Sequence, residues 1–278
     1  MELRCARSQG NGLPQFVSAF VLMAALLPAS AAAPGSTGMA CPSRKFDAMG
    51  LELQTFRGDV GDVKAIAFCP NGSLAFTGHW GEAAKLFRVS NALELRSFGG
   101  HTGVLSVAID SDGSLALTGS ADGTVRLWDL VSGELLRQFK DEETGMVVAL
   151  AFGPDGALLA GSSDGLATLW DASTGKRLRG LVGHGAAVLG TAMGRGPQEE
   201  AWALTGSGDN TSRLWDVRTG SAIRTFKGHR GWVLAVALGP DGTQVVTGSH
   251  DGTACIWDAA TGRRLRELSG HVDSVTSV

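Results

Sequence analysis

An all-β fold built from repeated four-stranded antiparallel units follows from three observations. A Trp-Asp pair recurs at Trp128-Asp129, Trp170-Asp171, Trp215-Asp216 and Trp257-Asp258, at steps of 42, 45 and 42 residues. A Gly-His pair keeps the same beat at Gly100-His101, Gly183-His184, Gly228-His229 and Gly270-His271. Between these pairs, short apolar runs alternate with glycine-rich turns, and 40 glycines against 8 prolines fit many tight turns between short strands. Self-similarity at a period of about 40–45 residues, carried by these two dipeptides, marks one β-propeller blade per repeat.

In chain order, residues 1–45 stand outside the repeat as a targeting leader. Arg4 and Arg7 precede the apolar run Phe16–Leu27, and Pro28 and the small residues Ala29–Ala33 follow it. A basic start, a short apolar core and an A-x-A-like end have the form of a secretory signal, with cleavage after Ala31 or Ala33. The run is short for a membrane span, which needs about 20 apolar residues. The mature chain is therefore expected to lack a span unless the leader stays on as an uncleaved anchor. No acidic residue lies between Glu2 and Asp47, which also fits an organelle transit peptide or a two-part signal. A chance apolar stretch at a misassigned start is the third reading.

Residues 46–278 form the repeat array, with repeats at about 56–89, 98–130, 139–172, 181–217 and 226–259 and a partial one at 268–278. The fifth is the cleanest. Val233–Leu238 is an apolar run of strand length, Gly239-Pro-Asp-Gly242 a turn, and Gln244–Gly248 a second strand. His250-Asp-Gly252 turns the chain into the third strand, Thr253–Asp258. Ala260-Thr-Gly262 leads to Arg264–Leu268, an alternating and more exposed edge strand. The first turn recurs around Asn71-Gly72, Asp112-Gly113 and Asp155-Gly156, and the second at Asp122-Gly123, Asp164-Gly165 and Asp209-Asn210. In the first repeat Phe87-Arg88 stands where the others have Trp-Asp. The fourth repeat is longer by a segment at Gly194–Glu200, expected to be a protruding hairpin because insertions map to loops.

This pattern resembles the WD-repeat β-propeller family over Leu51 to Val278. The resemblance implies a hydrogen-bonded quartet in each regular blade: His101, Thr118, Asp122 and Trp128 in the second; His184, Thr205, Asp209 and Trp215 in the fourth; His229, Thr247, Asp251 and Trp257 in the fifth. The chemistry supports it, since a buried His and Asp must satisfy each other and an indole N–H supplies a donor beside a large apolar body. The first repeat departs from the pattern, with Asp59 for His, Gly81 for Asp and Phe87 for Trp. The third has no His in Lys140–Gly145 and has Ala160 for the hydroxyl. These two blades are expected to be less well tied. Recurrence of one His/Asp/Thr set in three repeats argues for structure rather than a catalytic triad, which needs a single set in one cleft. Histidines spread over separate blades also argue against a metal centre.

Leu51–Phe56 resembles the outer strand of a blade whose first three strands are missing. Five full repeats follow, and Gly270–Val278 starts a sixth. A seven-bladed ring would need about 65 residues more at this period, so the chain is expected to be a fragment of a longer one. A partner that completes the ring is the alternative.

A formal charge of −3, from 24 basic and 27 acidic residues, gives no basic field of the kind nucleic-acid binding needs. The four cysteines, Cys5, Cys41, Cys69 and Cys255, form no C-x-x-C motif and no disulfide framework. They and the family favour a reducing compartment, whereas the leader favours the secretory route or an organelle. No cofactor is expected, and the function expected is a non-enzymatic scaffold for protein or peptide partners. In the family, partners often dock on the propeller's top face. The matching positions are Lys64, Leu105, Val148, Leu189 and Leu234 on the inner strands, with Trp80, Met146, Trp232 and His250 beside them. Two further readings belong to other classes. Trp215-Asp-Val-Arg218 matches a W-D-x-R signature of cullin-type ubiquitin-ligase substrate receptors, but the other repeats carry Val131, Ser173 and Ala260 at the Arg position. The array could also be the sensor or regulatory part of a larger signalling protein, although no P-loop or kinase motif stands in it.

Overall fold

A computed structural model of the chain describes residues 62–81, 83–142 and 144–278. The leader, the strand expected at Leu51–Phe56, and Asp59 lie outside the described residues. Among the described residues, twenty strands form five separate four-stranded antiparallel sheets, each a simple meander in chain order. The first blade holds β1 (Val63–Phe68), β2 (Leu74–His79), β3 (Ala84–Arg88) and β4 (Leu93–Phe98). The second holds β5 (Val104–Ile109), β6 (Leu115–Ser120), β7 (Thr124–Asp129) and β8 (Leu135–Lys140). In the third are β9 (Val147–Phe152), β10 (Ala157–Ser162), β11 (Ala167–Asp171) and β12 (Arg177–Leu181). The fourth holds β13 (Val188–Arg195), β14 (Ala201–Ser207), β15 (Thr211–Asp216) and β16 (Ala222–Lys227). The fifth holds β17 (Val233–Leu238), β18 (Gln244–Ser249), β19 (Ala254–Asp258) and β20 (Arg264–Leu268).

The four described strands that the sequence places in the fifth repeat all form, within a residue of their expected ends. The extra segment of the fourth repeat lengthens one hairpin. β13 has eight residues where the other inner strands have six, and it pairs with β14 out to Arg195–Ala201. The turn beyond is closed by Gly196 N–H to the Glu200 carbonyl at 2.8 Å.

The core lies in the seams between blades, because each sheet is apolar on both faces and must bury both. In the first seam Phe76, Phe98 and Val104 meet Ala116 and Trp128. In the second, Leu127, Phe139 and Val147 meet Leu158 and Trp170, and the same arrangement continues through Leu181, Val188 and Trp215 and through Phe226, Val233 and Trp257. Three of the tryptophans meet a phenylalanine at or next to the end of the outer strand of the preceding blade: Phe98–Trp128 at 5.4 Å, Phe139–Trp170 at 5.7 Å and Phe226–Trp257 at 5.7 Å between ring centroids. Full burial of each phenylalanine stabilises its seam by roughly 2–3 kcal/mol.

One glycine per blade sets how close the seams run. A Cβ on Gly206 of β14 would stand 2.8 Å from the Val233 Cγ1 of the next inner strand, and Gly78 and Gly161 meet Val104 and Val188 in the same way. Gly248 of β18 meets Val275, whose N–H donates to the Ser249 carbonyl at 2.9 Å. The final residues therefore lie on the fifth blade where an inner strand lies on each earlier blade.

Candidate functional site

The three regular blades share one hydrogen-bond relay. In the fifth, the Trp257 indole N–H donates to Thr247 Oγ1 at 2.8 Å, Thr247 Oγ1 lies 2.7 Å from His229 Nε2, and His229 Nδ1 lies 3.0 Å from Asp251. The second blade repeats it through Trp128, Thr118, His101 and Asp122 at 2.8, 2.7 and 3.2 Å. The fourth repeats it through Trp215, Thr205, His184 and Asp209 at 2.9, 2.7 and 2.9 Å. A neutral imidazole protonated at Nδ1 satisfies every member of the chain: the indole gives to the hydroxyl, the hydroxyl to Nε2, and Nδ1–H to the carboxylate.

Electrostatics follow from this geometry. Burial lowers the pKa of His101 and His184, against the raising pull of their aspartates. Burial alone would raise Asp122 and Asp209. Hydrogen bonds from Thr124 and His101, and from Thr211 and His184, outweigh it and bring each carboxyl to about 2. Asp251 is lowered in the same way, burial being opposed by Thr253, Arg230 and His229. Each aspartate also fixes the loop that carries its histidine, as in Arg230 N–H to Asp251 at 2.8 Å.

The two irregular blades differ from each other. The first has an imidazole after all. His79, at the end of β2, is buried and its Nε2 lies 2.8 Å from Thr77 Oγ1. It stands where the other blades carry Ser120, Ser162, Ser207 and Ser249, so the ring reaches the same hydroxyl from the strand rather than from the loop. Reading only the Gly-His positions misses it. The third blade keeps Asp164, bonded to Ser162 Oγ and, at 3.0 Å, by the Gly145 N–H, but has no imidazole beside Trp170 among its described residues.

Each inner strand carries a β-bulge two residues from its start. Register shifts fall between Val63 and Ala65, Val104 and Ser106, Val188 and Gly190, and Val233 and Ala235, and in the third blade at the β9–β10 pairing next to Val148. The extra, unpaired residues are Lys64, Leu105, Val148, Leu189 and Leu234, the five inner-strand positions singled out above. A bulge interrupts the ladder and re-aims a side chain. Here it does so at the same end of every blade.

The flanking positions are the exposed ones. Trp80 is 53% exposed, Met146 42% and Trp232 39%. Lys64 Nζ sits 5.7 Å from the Trp80 ring and 3.2 Å from an Asp62 carboxylate oxygen. Trp232 lies 5.7 Å from the His250 ring, and its carbonyl accepts the His250 N–H at 2.9 Å. Trp80 N–H bonds the Asp62 carbonyl in the equivalent way, so Trp80 and His250 occupy matching corners of the first and fifth blades.

The opposite end carries a feature with no sequence signature. Arginines on the outer strands reach across to the next blade's Gly-containing turn: Arg96 to the Val131 carbonyl at 2.6 Å, Arg137 to those of Thr174 and Ser173 at 3.2 and 2.5 Å, and Arg224 to that of Ala260 at 2.6 Å. The Arg179 stem lies beside Gly220 in the same manner. Among the described residues no group of three or more His, Cys, Asp or Glu side chains could hold a metal ion, and Cys69 and Cys255 are buried free thiols. No helix of the described residues is long and apolar enough to cross a membrane.

Five sheets of four strands, stacked through shared seams, three of them pinned by the indole–hydroxyl–imidazole–carboxylate relay, are propeller blades. The sequence profile of the WD domain, G-beta repeat, matches residues 50–88, 93–129, 133–171, 175–216 and 220–258. The chain belongs to this family. It is 34% identical over 101 residues to the small ribosomal subunit protein RACK1y of Oryza sativa subsp. japonica, covering 35% of this chain and 30% of that protein. It is 34% identical over 99 residues to pre-mRNA-processing factor 19 homolog 2 of Arabidopsis thaliana, covering 35% and 18%. Over 95 residues it is 34% identical to eukaryotic translation initiation factor 3 subunit I of Debaryomyces hansenii, covering 34% and 27%. The chain thus matches less than a third of the length of each of these relatives.

Proposed function

We propose that this chain is a non-enzymatic scaffold that presents the bulged end of its blades to a protein or peptide partner. The observation that carries this reading is the repetition of one device. Five inner strands each offer an unpaired bulge residue at the same end, beside Trp80, Met146 and Trp232, which stay exposed despite their size. Exposed aromatic and Met side chains on a rigid rim are the residue types that anchor partners. Membership of the WD-repeat family supports a scaffold role, and two of the relatives are by name components of assemblies, a ribosomal subunit and an initiation factor. The near-neutral charge balance favours a protein partner over nucleic acid.

The test compares the proteins that co-purify from the native source with the wild-type chain, with Trp80→Ala/Trp232→Ala, and with Gln198→Ala/Thr243→Ala at the other end of the blades. The reading expects the first variant to lose specific proteins that the second retains, with both folded by circular dichroism. Equal recovery on all three chains would overturn it.

A further inference from the structure

We propose that Asn71, in the turn between β1 and β2, is a site of self-modification: the Gly72 backbone nitrogen attacks its side-chain amide, and water converts the product to a carboxylate with loss of ammonia. Pro70, Asn71, Gly72 and Ser73 are all exposed. Asn71 Oδ1 accepts two hydrogen bonds, from the Ser73 N–H at 2.9 Å and from Ser73 Oγ at 2.7 Å. Such bonds fold the side chain back along the peptide that follows it, the Asx arrangement of tight turns. The nitrogen of that peptide belongs to Gly72, which has no side chain to shield it. Gly72 sits at φ 69°, and a Cβ placed there would meet nothing beyond its chain neighbours within 4 Å, so a five-membered ring has room to form.

In the first step the Gly72 nitrogen bonds to Asn71 Cγ and gives its proton to water. The Cγ–Nδ2 bond breaks, and the nitrogen leaves as ammonia with a proton from solvent. Water then adds to one carbonyl of the cyclic imide. Opening at Cγ gives an aspartyl side chain on the normal backbone, and opening at the main-chain carbonyl gives an isoaspartyl link. The Gly72 N–H donates to the Cys69 carbonyl at 2.8 Å, so this exposed turn bond must open before the proton leaves. Negative charge builds on Oδ1 during the attack, and the two Ser73 donors already point at that oxygen, as donors of an oxyanion hole do. The fifth blade shows what such a pair does. Asp241 Oδ1 accepts the Thr243 N–H at 3.0 Å and Thr243 Oγ1 at 2.8 Å, and these bonds hold its carboxyl below the ordinary range. The turn therefore also accommodates the aspartyl product. Asp112-Gly113, Asp155-Gly156 and Asp241-Gly242 stand at this turn in three sister blades, where the first blade carries the amide.

The other asparagines among the described residues lack this combination. Asn91 is exposed, but the nitrogen after it belongs to Ala92. Asn210 is half-buried at φ 66° and precedes Thr211, which pairs with Lys227 in the ladder. The site lies at the end of the blade opposite the bulges and does not rest on the scaffold reading.

The test holds the 278-residue chain in ¹⁸O-labelled water at pH 8 and then cuts it with trypsin in ordinary water, which leaves Asn71, Asn91 and Asn210 on separate peptides. One ¹⁸O atom is expected to enter position 71 well before any enters position 91 or 210. Asn71→Gln is expected to abolish uptake at that position, because its longer side chain cannot close the five-membered ring. Ser73→Ala keeps the backbone donor and removes the hydroxyl, and is expected to slow uptake about two- to tenfold, the effect of one hydrogen bond. No uptake at position 71, equal uptake at the three positions, persistent uptake in Asn71→Gln, or an unchanged rate in Ser73→Ala would each overturn the assignment.

Discussion

The threonine hydroxyl is the pivot of each relay, since it accepts from the indole and gives to the imidazole. Thr247→Val keeps the shape of the side chain and leaves both Trp257 Nε1 and His229 Nε2 without a partner. Each orphaned buried group costs about 1–3 kcal/mol, so the expected loss is roughly 2 kcal/mol or more in urea unfolding. A loss within a few tenths would mean that the relay contributes nothing. Protonation acts on the same groups. His101, His184, Asp122 and Asp209 all titrate below their ordinary values. The folded state thus binds fewer protons than the unfolded one. The histidine contribution is complete above the ordinary value of about 6.5 and is lost as pH falls below it; the aspartate contribution is lost from about 4 down to about 2. Urea midpoints should therefore fall from pH 7.5 to pH 5 and further by pH 3. A midpoint that rises on acidification would contradict the assignment of neutral imidazoles. Of the relay residues, Thr and Trp keep a fixed spacing of 10, whereas His and Asp stand 21, 25 and 22 apart and are marked in the sequence only by the family pattern they resemble. His79 carries no such mark, because its ring reaches the hydroxyl from a strand position where the other blades carry serine.

Strands and turns show the same division. The meander of each blade can be read from its punctuation, since the turn glycines take left-handed backbone that a side chain disfavours. Gly133, Gly175, Gly220 and Gly262 sit at φ 79°, 77°, 75° and 74° between the third and fourth strands. The first blade has Ala92 there, at φ 51°. A non-glycine residue in this region costs roughly 1–2 kcal/mol. Ala92→Gly should then stabilise the chain by about 1 kcal/mol once the entropy of glycine is offset, read as a higher urea midpoint. A lower midpoint would show that the turn is not strained. The bulges are hidden in the sequence. Val233–Leu238 is apolar throughout, so no break in alternation betrays the extra residue at Leu234. The outer-strand arginines are hidden for another reason. Alternating Arg and Leu in Arg177–Leu181 or Arg264–Leu268 reads as a solvated edge, while the acceptors of Arg96, Arg137 and Arg224 are backbone carbonyls one blade away.

For the molecule as a whole, the apolar core and the exposed aromatics lie in separate places. The seams hold the apolar core, and close approach there depends on glycines such as Gly206 and Gly248. The relay pins the loops at the end where the bulges and the exposed aromatics stand, so in the scaffold reading that end is ordered before a partner binds. Preorganisation of this kind limits the entropy lost on binding. The architecture was open to sequence reading because it repeats. The identity of a partner was not, because exposed side chains obey no period. Site-specific photo-crosslinking tests the scaffold reading most directly. A photoreactive amino acid is placed at Met146 on the bulged end, or at Gln198 in the hairpin turn at the other end, and adducts formed in the native source are compared. The reading expects discrete protein adducts from position 146 that vanish when Trp232→Ala is added, and none of these from position 198. The same adducts from both positions, or from 198 alone, would contradict it.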